Sequence, residues 1–213
     1  MENFQYFLSG LLITVIVSAT AWAIGSPLGL LIAMLRVKRL LGIAPMLALY
    51  VSFVRSLPLP LLVMLFYFGL PVLGWNLDPL PAAIAALALN TSAFNSEIWR
   101  AAILDFPIGQ LEAAKSVGMV GQQTFWRIIL PQLWRASLPM LTNEITLLVK
   151  ASPAIGIIGI DDLTRRAGKV AASNYEPLPT IITGMVLYAV VLLTLSLVSR
   201  SLEQRLQHKY ELI

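Results

Sequence analysis

From Asn3 to Leu35 the chain carries no charged side chain, an unbroken run of 33 residues. Inside hydrocarbon every backbone N–H and C=O must find its partner within the segment, so a run of this kind folds as a helix. About 20 residues cross a core of about 30 Å, which leaves one span with residues to spare. The surplus implies tilt or an interfacial first turn, and Gly25-Ser26-Pro27-Leu28-Gly29 marks where the helix bends or thins and another packs against it. A cleaved leader fits less well: its apolar core is about 7–15 residues long and follows basic residues, whereas this run is preceded by Glu2.

The rest of the chain repeats the theme. Of its 213 residues 58% are hydrophobic and 12% charged, beyond the ~45–50% apolar share of ordinary soluble domains. A second apolar stretch, 42–72, is interrupted by Arg55, Pro58 and Pro60 and reads as a broken span whose irregular backbone must face protein or water. Residues 79–100 form a third, uncharged from Pro79 to Ser96. Residues 134–160 form a fourth, the most polar, with Asn143, Glu144 and Lys150; such a helix belongs inside a bundle. A mixed-charge loop, 161–176, leads to a fifth span at 177–199. One all-α membrane domain, 1–213, with five transmembrane helices and a hydrophilic loop at 101–133 is the expected architecture.

Basic residues orient it. Arg36, Lys38, Arg39, Arg100, Lys115, Arg127, Arg135, Arg200, Arg205 and Lys209 fall on one side, against Arg165, Arg166 and Lys169 on the other. The positive-inside rule puts the long loop and the C-terminus in the cytoplasm and the N-terminus outside. The net charge of +4 is therefore a matter of topology; the basic residues flank apolar runs and do not interleave with stacking aromatics, so no nucleic acid is expected. With no cysteine and a single His208, thiolate metal sites, disulfides and a histidine-based nucleophile are poor readings.

The loop reads Gly109-Gln110-Leu111-Glu112-Ala113-Ala114-Lys115-Ser116-Val117-Gly118, then Phe125-Trp126-Arg127-Ile128-Ile129-Leu130-Pro131-Gln132. Propensity predicts a short helix ended by Gly118 in the left-handed conformation, then a second from Gln122 to Leu130 stopped by Pro131. Periodicity alone allows an amphipathic helix lying on the membrane. The spacing of Glu112, Ala113, Ala114, Gly118, Ile128, Leu130 and Pro131, however, resembles the cytoplasmic loop signature of ATP-binding cassette importer permeases. Arg55-Ser56-Leu57-Pro58-Leu59 with Tyr67 to Pro71, and Leu89 to Phe94 with Glu97, Ile98 and Arg100, are similar to the second and third spans of the branch importing polar amino acids such as histidine, glutamine and arginine.

That resemblance implies a type I importer permease fold and a coupling helix, Glu112 to Gly118, that docks on a separate ATPase subunit. It also implies a second permease subunit (homo- or heterodimer), an extracytoplasmic solute-binding protein, and no cofactor on this chain, with ATP and Mg on the ATPase. The chain holds no Gly-x-x-x-x-Gly-Lys-Ser/Thr loop of its own. It departs from the branch where Leu57 and Leu62 stand in place of threonine and glutamine, and where Ala151-Ser152-Pro153-Ala154 follows Lys150. If these line the pathway, the solute is less polar or an amino-acid derivative; equally they are packing positions.

Candidate pathway residues are Arg55, Leu57, Leu62, Asn90, Asn143, Glu144, Ser152 and Asp162. Asn90 can bond a solute or bridge helices. Glu144 needs a partner, which Arg55 or Lys150 could supply. Glu97 and Arg100 share a helical face, as an ion pair or a gate. Asp162 aligns with an acidic outer-vestibule position, and Asp161 could cap a helix at Leu163. The rival reading is a self-sufficient channel or ion-coupled carrier using Glu144, Lys150 and Asn90, which has no need of the loop signature.

Overall fold

The computed structural model describes residues 2–208, with side chains described from residue 4 to residue 204. Arg205 and Lys209, invoked above for their charge, and His208 lie outside the described side chains. Helix α1 (Glu2–Val37) is one continuous rod. It is followed by α2 (Ile43–Ser56), α3 (Leu59–Met64, prolonged to Leu73), α4 (Pro79–Leu104), α5 (Ile108–Ser116), α6 (Gly121–Thr124), α7 (Leu130–Ala151), α8 (Leu163–Asn174) and α9 (Pro177–His208). No strand occurs among the described residues.

Helix α4 is the centre, packed against α1, α2, α3 and α7. Its contact with α1 depends on the small residues seen in the sequence. A Cβ added at Gly25 would lie 2.6 Å from the carbonyl oxygen of Ala88, and one at Gly29 would lie 2.9 Å from that of Ser92. The two backbones therefore approach as closely as only glycine permits. The pairing of Gly25 with Ala88, Gly29 with Ser92 and Arg36 with Glu97 makes α1 and α4 parallel. Ala82, Ala83, Ala86 and Leu87 fill the core with Val17 and Ala21 of α1.

The second apolar stretch is bent by 110° between α2 and α3. Pro58 takes no part as a donor and holds Leu57 extended, at φ −86° and ψ 135°. Three helices, Phe4–Val37, Gly121–Ile158 and Pro177–Gln204, are each long and apolar enough to cross a membrane, and the bent pair gives a fourth. Helix α4 falls short of that standard because its burial face carries Thr91, Ser92, Asn95 and Ser96. Its neighbours cover that polar face, and three to four of the five expected spans qualify by length and composition.

Two expectations change. Pro131 does not stop a helix: Phe125–Ile129 forms a π-turn that runs directly into α7, with Pro131 in the first turn of that helix. The ring's missing N–H costs nothing where the ladder has already changed register. The expected loop 161–176 is mostly helix α8, whose N-terminus is capped by Asp162, not Asp161: the Asp162 carboxylate accepts the N–H of Arg165 at 2.9 Å. Polarity alone predicts a loop, but a capped amphipathic helix with Leu163 and Ala167 buried is equally polar outside.

Helix α8 is fastened to the start of α1. Arg166 donates to the carbonyl of Tyr6 at 2.9 Å and to the Ser9 hydroxyl, and its guanidinium lies 4.5 Å from the Tyr6 ring centre. Asp161 instead accepts from Lys169 at 2.6 Å, and this contact holds its carboxyl below the usual range. Burial pushes Asp162 the other way, against the backbone N–H groups that bond it.

Candidate functional site

Two places gather the candidate residues: the α5 loop at one end of the bundle and a cleft within it. In the loop, α5 closes with the paired bonds of a left-handed cap. The Gly118 N–H donates to the carbonyl of Lys115 at 3.0 Å and the Met119 N–H to that of Ala114 at 3.0 Å, with Gly118 at φ +75°. Nothing lies within 4 Å of a Cβ built at Gly118, so the backbone conformation, not crowding, demands glycine there.

Ala114 is buried, while Glu112 and Ala113 are exposed. Beside them Ile108, Val117 and Val120 are 69%, 75% and 59% exposed, a cluster of apolar side chains on a loop that is otherwise polar. Gln132 donates to the side-chain oxygen of Gln110 at 2.6 Å, tying α5 to the first turn of α7. Ile128, Leu130 and Pro131 are half-buried where that turn meets the bundle. The knuckle is thus exposed at its tip and braced at its base.

The cleft, of about 210 Å³, lies between the α2–α3 bend, α4 and α7. It is lined by Leu57, Asn90, Phe94, Glu144, Leu147 and Ala151, among others. The sequence had singled out Leu57, Asn90 and Glu144, which three separate segments bring together. Glu144 is 7% exposed, and its Oε2 has no hydrogen-bond partner among the described residues. Neither Arg55 nor Lys150 pairs with it: Arg55 stacks 5.2 Å from the Phe94 ring centre at the margin of the cleft, and Lys150 is exposed on the last turn of α7. The Tyr50 hydroxyl bonds the carbonyl of Leu89 at 2.9 Å and the Ser92 hydroxyl at 2.7 Å, which pins α2 to α4 beside Asn90.

The other candidates sit elsewhere. Leu62 is buried in the main core with Val63 and Ala82, so its apolar character serves packing. Asn143 is exposed on α7, one residue out of phase with the buried face that carries Glu144. Ser152 is fully buried and donates to the carbonyl of Val149 at 2.9 Å. Asp162 is engaged as a helix cap. Glu97 lies outside the cleft; its ion pair of 2.5 Å with Arg36 joins α1 to α4, and a second of 2.8 Å with Arg100 lies within α4. Phe94 and Leu147 were missed as cleft residues, although each sits one helical turn from a polar candidate, at the i+4 and i+3 positions from Asn90 and Glu144.

A bundle of apolar helices around a largely apolar cleft that holds Asn90 and a buried glutamate, with a projecting knuckle at one end, defines a multi-pass membrane transport subunit. Residues 25–211 match the family described as binding-protein-dependent transport system inner membrane component, and the chain belongs to that family. It is 34% identical over 207 residues to the L-cystine transport system permease protein TcyB of Bacillus subtilis (strain 168), covering 96% of this chain and 88% of that protein. It is 35% identical over 209 residues to the arginine transport system permease protein ArtQ of the same organism, covering 97% and 95%. The crystal structure of an amino acid ABC transporter with histidines superposes with a TM-score of 0.86 at 34% identity, over 96% of this chain and 95% of that one. The MetNI methionine ABC transporter, at 19% identity and a TM-score of 0.73, shares the fold. The chain is therefore a permease of ATP-driven importers, a transport subunit whose ATPase activity resides on a separate polypeptide and whose solute arrives on a binding protein.

Proposed function

We propose that this chain pairs with a second permease subunit in the bilayer and imports an amino acid or amino-acid-like solute through the cleft around Glu144. The observation that carries the reading is the juxtaposition of Leu57, Asn90 and Glu144 in one cavity, with a buried carboxylate oxygen left unpartnered. Such a group in an apolar wall favours a cationic or ammonium-bearing solute, and the Asn90 amide can orient a carboxylate. The names of the related permeases, for cystine and arginine, agree with this class.

In this reading the knuckle from Glu112 to Gly118 docks on the ATPase, with the exposed Ile108, Val117 and Val120 covered by that partner. ATP and Mg belong to the ATPase, and this chain binds no cofactor. The end bearing Arg36, Lys38, Arg39 and Arg100 faces the cytoplasm of a bacterial cell, and the N-terminus faces outward. Alternating access follows: the binding protein delivers solute to the outer end, ATPase closure pushes the knuckle, and α7, tied to it by the Gln110–Gln132 contact, moves against α4 at the cleft.

The test is uptake by proteoliposomes holding the full permease–ATPase assembly with its binding protein, driven by internal ATP. ATP-dependent accumulation of an amino acid or an amino-acid derivative supports the reading; uptake that continues without ATP or an ATPase subunit overturns it in favour of a channel or carrier.

A further inference from the structure

A second pocket, of about 350 Å³, opens along the seam between α4 and α7, lined by Ile98, Ala101, Asp105, Gln132, Ser137 and Met140, among others. It continues the side of the seam that holds the cleft. On α4 the cleft residues Asn90 and Phe94 are followed by Ile98, Ala101 and Asp105, in steps of four and three that keep to one helical face. On α7 the cleft residues Leu148 and Glu144 are followed, toward the start of the helix, by Met140, Ser137 and Leu133 in the same steps. The two stripes run in opposite directions, so the pocket lies next to the cleft on the knuckle side. Glu144 and Ser137 are seven positions apart, about 10 Å along the helix axis.

The lining carries two polar groups without partners. Asp105 is its one charged residue; it is exposed, and its carboxylate enters no ion pair among the described residues. Ser137 is 2% exposed, and its Oγ has no hydrogen-bond partner among the described residues. A buried helical serine ordinarily donates to a carbonyl one turn back, as Ser96 and Ser152 do here. The Ser137 hydroxyl does not, which costs stability unless something entering the pocket bonds it. Gln132 forms part of the wall, and its amide donates to Gln110 of α5 at 2.6 Å. One wall of the pocket is thus tied to the knuckle.

We propose that this pocket is an exit subsite of the solute route, holding the ammonium group of the solute at Asp105 and a second polar group at the Ser137 hydroxyl after it leaves Glu144. The inference rests on the reading of the cleft as the route. Continuity with the cleft argues for the same occupant, and charge selects its class: a lone carboxylate favours the same ammonium-bearing solute that Glu144 favours. Displacement of the knuckle moves Gln132 and so opens or closes this end of the route.

The chain has no cysteine of its own, so single cysteines report on each opening. The test uses the full permease–ATPase assembly in nanodiscs, with its binding protein and cysteine-free partner subunits, carrying Ala136→Cys in the pocket or Ala151→Cys in the cleft. The probes are aminoethyl methanethiosulfonate, which bears an ammonium group, and its sulfonate-bearing counterpart. Relative to a free thiol, the ammonium reagent should modify position 136 about fivefold faster than the sulfonate, the size of one charge contact in water, and Asp105→Asn should erase the difference. Trapping the assembly with ATP and vanadate should shield position 136. Modification there should stop ATP-driven uptake after transfer to proteoliposomes while ATP hydrolysis continues; because the reagent acts on the assembled protein, that loss is not a folding defect. Absence of the charge preference, uptake that survives complete modification, or reaction at position 136 only after the ATPase subunits are removed would each overturn the proposal. If position 151 follows the ATP state and blocks uptake when modified but position 136 does neither, the exit subsite alone fails; if both are silent, the reading of the cleft fails with it.

Discussion

Glu144 is the side chain whose surroundings and cost are most at odds. A carboxylate in an apolar wall with an oxygen unpaired is a liability for the fold, and Glu144→Gln removes that liability while keeping the shape. The thermal midpoint of the variant should hold or rise, whereas ATP-driven uptake of an ammonium-bearing solute should fall about tenfold, the worth of one charge-assisted bond. Loss of both stability and uptake would point to a structural role. Gly25 makes the opposite point. Its missing Cβ would sit 2.6 Å from the Ala88 carbonyl oxygen, and backbone cannot move aside as a flexible side chain can. Gly25→Val should cost about 1–3 kcal/mol of overpacking, seen as a lower midpoint in detergent melting.

Among the elements, α5 and α8 are short helices whose ends decide their use. Gly118 holds a positive φ that a β-branched residue strains, so Gly118→Val should unseat the cap of α5 while leaving the packed spans intact. ATP hydrolysis by the assembly should persist while uptake per ATP drops severalfold; a simultaneous measurement of the two rates checks this. On α8 the Asp161 carboxyl is held below its ordinary value by Lys169. A depressed acid contributes stability above its unfolded value, near 3.9, and loses it as pH falls through the folded one. Asp161→Asn should therefore melt below the unmodified chain at pH 6, and the gap should close as pH falls below about 3.9, a comparison that melting curves across pH would provide.

For the whole molecule, the distribution of exposure is the guide. Helix α9 buries little of itself within this chain, and Ile181, Met185, Leu193 and Leu197 lie exposed along its length. Lipid or a second permease subunit covers such a face in the assembly proposed here. Purification of the complex should yield two permease chains per pair of ATPase subunits, and light scattering of the detergent-corrected mass is the check; a single permease chain per complex would refute the pairing.

What the sequence determined alone is what depends on composition and fixed spacing. The charge-free run of α1, the proline break between α2 and α3, the left-handed glycine at 118 and the loop signature were legible because lipid and backbone geometry leave few alternatives for such stretches. Tertiary structure decided which polar groups meet. Glu144 and Asn90 are 54 positions apart, and only the packing of α7 on α4 beside the bent Leu57 put them in one cleft, while turning the adjacent Asn143 away. Leu62 became core, Asp162 became a cap, and α4, too polar to qualify as a span by composition, became the central helix of the bundle, covered by α1, α2, α3 and α7. Hydropathy records what each segment can tolerate; the partner that satisfies it is fixed only when the helices pack.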